Sequence, residues 1–168
     1  MNLRLALLAT MGSLFLVATP AQAFCEYGGV LDAKTTIPQE FRDSTWVVHA
    51  RVIAAKTHWP HIEGDLGGTD GEPWTVYDLQ VLKSYKGQPP RPLRFFTLRN
   101  SGAFYMDADP RLGIRGEYLL FLVPYRRSYR AAQGTVFVNY PCGQSKSWRE
   151  VSHAERQSLE RLSAEVRR

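Results

Sequence analysis

The sequence predicts an all-β protein: a small five-stranded barrel, closed or partly open, finished by one α-helix. Three observations lead there. Five short runs rich in β-branched and aromatic residues are separated by breaks carrying glycine or proline. A capping-box signature, Ser152-His153-Ala154-Glu155, opens a last stretch free of both breakers. The chain has two cysteines, Cys25 and Cys142, which bracket all five runs.

The start reads as an export signal, residues 1–23, removed after Ala23. Arg4 makes the n-region positive, Leu5 to Val17 carries no charge, and Ala21-Gln22-Ala23 supplies the small-x-small cleavage pattern. That apolar stretch would span about 20 Å as a helix, short of the ~30 Å hydrocarbon core, so it reads as a leader rather than an anchor. Lipidation at Cys25 would need a small residue just before it, and Phe24 stands there. The expectation is a secreted or periplasmic chain whose cysteines meet an oxidising compartment.

Removing 23 of the 168 residues leaves 145, the size of one domain (24–168) with a full core. With Arg4 gone, 20 basic residues face 16 acidic ones, a net +4, which is mildly basic and not the charge of a dedicated nucleic-acid binder. No later run is long and apolar enough to span a membrane. Two cysteines allow one internal pairing, Cys25 to Cys142. They lie 117 positions apart. A loop of that length gives an ideal entropic gain of roughly 4–5 kcal/mol.

Phe24 to Arg42 reads as extended and irregular, because Gly28-Gly29 and Pro38 interrupt any periodicity. The first strand is Trp46 to Ala55, with Trp46, Val48, Ala50, Val52 and Ala54 on one face and His49 and Arg51 on the other, mixed one. Lys56 to Pro73 is a glycine-interrupted loop. The second strand runs from Trp74 to Tyr85, and Lys86-Gly87-Gln88-Pro89-Pro90 ends it. Leu93 to Leu98 is the third, followed by a connection from Arg99 to Gly116. Tyr118 to Val123 is uniformly hydrophobic, as a strand buried on both sides would be. Thr135 to Asn139 follows a basic loop and reads as its hairpin partner. Residues 152–166 form the helix, with Leu159, Leu162 and Val166 as a narrow apolar stripe.

The order of these pieces resembles the netrin-like N-terminal domain of the tissue inhibitors of metalloproteinases, a five-stranded OB-type barrel. Four patches carry the likeness: STWVVHARVIAAK (44–56), YDLQVLKSYKG (77–87), Gly116-Glu117-Tyr118-Leu119-Leu120, and Asn139-Tyr140-Pro141-Cys142 with Trp148 and Ser152 beyond. The resemblance implies that fold, and by position the cysteine pair matches the family's link between N-terminal segment and barrel end. In that family an N-terminal cysteine chelates the protease zinc through its free amine and carbonyl. Here Phe24 precedes Cys25 and no Cys-x-Cys start exists, so the amine falls one residue early.

The resulting expectation is a non-enzymatic, cofactor-free binding module for a protein partner, a protease among the candidates. The candidate surface is the rim holding Phe24, Glu26, Tyr27, Phe104, Tyr105 and Gly143, since loop aromatics favour recognition surfaces. An alternative is a metal-binding or enzymatic envelope protein using His58, His61, Glu63 and Asp65, with Asp70 and Glu72 nearby. A second alternative is a structural envelope protein touching a polyanion through Arg126-Arg127-Ser128-Tyr129-Arg130, with Arg91, Arg94, Arg161, Arg167 and Arg168 as further basic residues. Ser152, His153, Asp107 and Asp109 allow a triad on paper, but no serine sits in a nucleophile elbow, and Ser152 reads as a helix cap. His49 reads as a packed strand residue.

Overall fold

The computed structural model describes residues 25–58, 73–98, 104–106, 116–126 and 132–168. The leader, Phe24, His61, Glu63, Asp65, Asp70, Glu72, Asp107, Asp109 and the basic residues at 127–130 lie outside them.

The chain enters through a small hairpin, β1 (Glu26–Tyr27) and β2 (Val30–Leu31), pairing Tyr27 with Val30. Gly28 and Gly29 both take positive φ, 58° and 83°, as a two-residue turn matched to strand twist requires. Helix α1 (Ile37–Asp43) follows and corrects the expectation of an irregular segment up to Arg42. Thr36 caps it by accepting from the Gln39 N–H, and Pro38 lies in the first turn, where a missing N–H costs nothing. Ile37 and Phe41, four apart, form the buried stripe.

The barrel strands are β3 (Trp46–His58), β4 (Trp74–Lys86), β5 (Leu93–Leu98), β6 (Glu117–Pro124) and β7 (Val136–Val138). β3 is antiparallel to both β4 and β6, β4 to β5, and β6 to β7. One parallel pairing, Phe95 with Val136, joins β5 to β7 and closes the ring. This is a five-stranded OB-type barrel with a C-terminal helix. A two-residue strand β8 (Lys146–Ser147) lies on β6, and a 3-10 turn (Trp148–Glu150) leads into α2 (His153–Val166). Ser152 and Glu155 form both halves of the capping box.

The strands sort their side chains by alternation. Val48, Ala50, Val52, Tyr77, Leu79, Phe95, Leu120, Leu122, Val136 and Val138 fill the interior. Val47, Tyr85, Leu119 and Phe121 point outward and meet Ile37, Phe41 and Leu159 beneath the two helices. β6 is therefore buried on both faces, which is why its sequence shows no alternation. β3 bears register shifts at Val47/Val48, His49/Ala50 and Val52/Ala54, and at the last of these Ile53 turns out to solvent.

A candidate binding ridge at the disulfide

Cys25 and Cys142 are bonded, with Cα atoms 6.0 Å apart, and the described residues contain no free cysteine. The bond ties the hairpin to the segment after β7. Local bonds reinforce that base. The Asp32 N–H donates to the Cys25 carbonyl at 2.6 Å, with Asp32 in left-handed backbone at φ 50°. Tyr27 packs its ring on Tyr140, 5.1 Å between centroids, and donates its hydroxyl to Asp43 at 2.5 Å. Burial and the Asp43 carboxylate push the Tyr27 phenol up to about 12, and the Tyr27 hydroxyl in turn holds Asp43 below the usual carboxylate range. Buried Tyr140 donates to the Ala33 carbonyl at 3.2 Å.

Underneath sits Glu40, with no exposed surface. Its Oε1 accepts from the Thr35 hydroxyl and, at 2.8 Å, from the Gln144 N–H. The Gln144 amide donates to the Thr35 carbonyl at 2.7 Å, so α1 and the segment after the disulfide are stitched from both sides. While the base is fixed, the tip is open: Val30 is 59% exposed and Leu31 62%.

The structure distributes the candidate residues unevenly. Glu26 and Tyr27 lie in the hairpin. Gly143 lies beside it, but its role there is close approach: a Cβ would fall 2.6 Å from Glu40 Cδ. Phe104 packs against the barrel interior, edge-on to Phe95 and Tyr118, and Tyr105 beside it is 42% exposed. Sequence reading missed Val30, Leu31, Asp43 and Glu40. Gly28-Gly29 between two short runs was the available signal for the hairpin. Nothing local marks Glu40.

Several other candidates have ordinary partners. His58 stacks on Trp74, 4.8 Å between centroids. His49 stacks on Trp148 at 3.8 Å and meets Glu117 Oε2 through Nε2 at 2.8 Å, while Arg51 donates to Glu117 Oε1. Burial lowers His49 below its ordinary value against the opposing pull of Glu117. Ser152 is occupied as the α2 cap. Arg94 pairs with Asp78 at 3.9 Å, and Arg167 donates to Ser163 Oγ at 2.8 Å.

Among the described residues no group of three or more His, Cys, Asp or Glu side chains is placed to hold a metal, and no helix is long and apolar enough to cross a membrane. No family model matches the sequence, and no curated protein matches it.

Proposed function

We propose that this chain is an exported, non-enzymatic binding module of netrin-like type that engages a protein partner through its disulfide-pinned N-terminal hairpin. One contrast carries the reading. The barrel interior is filled and Val47, Leu119 and Phe121 on the outside of β3 and β6 pack beneath α1 and α2, yet the hairpin presents two adjacent aliphatic residues, Val30 and Leu31, to solvent. An apolar pair held on a rigid base loses little conformational freedom on binding, which favours recognition. The disulfide fits an oxidising compartment and so supports export after Ala23. The likeness to the metalloproteinase inhibitors adds a protease to the candidate partners, with Phe24 ahead of Cys25 arguing for contact without zinc chelation.

The test is affinity capture from the native exported fraction with the mature protein and with a Val30→Asp/Leu31→Asp variant, followed by calorimetry on any purified partner. One defined partner, bound at least tenfold more weakly by the variant at unchanged Tm, is expected. Equal binding by both proteins would overturn the hairpin as the site. Nanomolar inhibition of a zinc endopeptidase that is lost on acetylating the α-amine would replace this reading with a chelating one.

A further inference from the structure

We propose that Glu40 is a neutral carboxylic acid in the folded protein and acts as a pH-sensitive latch, clamping α1 to residues 142–145 in acid and loosening that clamp as pH rises.

The geometry carries this. Glu40 has no exposed surface, and its Oε2 is buried without a hydrogen-bond partner. An ionised carboxylate seeks several donors or a cation, and an uncompensated buried charge is far costlier than a buried neutral acid. Here only Oε1 is served, by Thr35 and Gln144. Among the described residues no lysine, arginine or histidine forms an ion pair with Glu40. The charged and titratable groups around it offer little relief. Asp43, on the same helix, is repulsive and is engaged by Tyr27 and Arg42. Tyr27 from β1 and Tyr140 after β7 are neutral phenols with raised values. Lys146 of β8 is attractive, but its ammonium lies 2.7 Å from Glu155 of α2. Gly143 lies against the carboxyl, so close that a Cβ there would fall 2.6 Å from Glu40 Cδ.

Burial accordingly raises Glu40 above its ordinary value of 4.5, against the lowering pull of Thr35 and Gln144. The sign follows from linkage: the contribution to stability is complete below 4.5, where both states are protonated, and is lost as pH rises through the folded value. This is opposite to the usual carboxylate. The clamp lies at the base of the hairpin, but the inference stands whatever the hairpin binds.

The experiment has two arms. In the first, the amide of Gln144, which donates to Glu40, is followed by NMR against pH in the intact disulfide-bonded protein. A titration midpoint above the ordinary carboxylate range is expected, and a midpoint within or below it overturns the proposal. In the second, unfolding midpoints of wild type and Glu40→Gln are compared across pH. Glutamine keeps an oxygen for Thr35 and Gln144 and cannot ionise, so the variant should gain on wild type as pH rises. A difference that is flat, or that moves against the variant at high pH, overturns the latch. Should Glu40→Gln fail to fold, the first arm decides alone.

Discussion

Lys86 closes the C-terminal end of α1 against Phe41: its Nζ donates to the Phe41 carbonyl at 2.7 Å, and the ammonium lies 5.6 Å above the Phe41 ring centroid. The same nitrogen donates to the carbonyls of Arg42 and Ser44 at 2.8 and 2.7 Å, using all three of its protons. A cation at a helix C-terminus also complements the macrodipole. Burial lowers the Lys86 ammonium from its ordinary range, with Asp43 opposing. One residue at the end of β4 thereby fixes the helix that carries Glu40 and Asp43.

Lys86→Met keeps most of the aliphatic stem and removes the donors. Three carbonyls then lose their partner, and a loss of about 1–3 kcal/mol is expected from the usual cost of charged hydrogen bonds. Urea unfolding at constant m-value measures it. A change under about 0.5 kcal/mol would mean that water replaces the ammonium without penalty.

The disulfide gives a second expectation. Thiol titration of the denatured, unreduced protein from its native compartment should find no free thiol. The Cys25→Ser/Cys142→Ser variant should lose about 2–4 kcal/mol, the typical range for such a crosslink. Two reactive thiols per chain would remove the bridge and the pinned hairpin with it.

Gly143→Ala tests the contact with Glu40. The new methyl would meet the carboxyl carbon at 2.6 Å, so either helix or loop must shift, with a loss of about 1–3 kcal/mol expected. Pairing it with Glu40→Ala should restore much of that loss in a double-mutant cycle, since the clash disappears. Additive effects would show that the two residues do not share the strain.

His49 titrates in the direction opposite to Glu40. Burial holds it below its ordinary 6.5, so its contribution to stability is present above 6.5 and is lost as pH falls through the lower folded value. His49→Phe keeps a ring for Trp148 and cannot protonate. Relative to wild type, the variant should therefore gain stability as pH falls below 6.5, read from unfolding midpoints. A pH-independent difference would show that His49 is not kept neutral by the fold.

The five barrel strands and α2 were legible because their signals are local. Alternation in β3, the capping box at Ser152, and the glycine-proline break after β4 each act within a few residues. Helix α1 escapes a sequence reading because Pro38 looks like a breaker, whereas its place in the first turn makes it compatible with a helix start. The added length of β3, which runs to His58, was missed because bulges shift its alternation. Phe104 looks like a rim residue from the sequence, but it packs into the barrel, edge-on to Phe95 and Tyr118.

By itself the sequence determined the fold class, the pairing of its two cysteines and the residues that start and stop most elements. These follow from periodicity, capping chemistry and the arithmetic of two thiols. Only the tertiary structure decided that Glu40 is buried without a counter-charge, that Gly143 is small for its sake, and that Val30 and Leu31 stand uncovered. Each depends on which surfaces are brought together across more than a hundred residues, and burial, unlike helix or strand propensity, belongs to no residue alone.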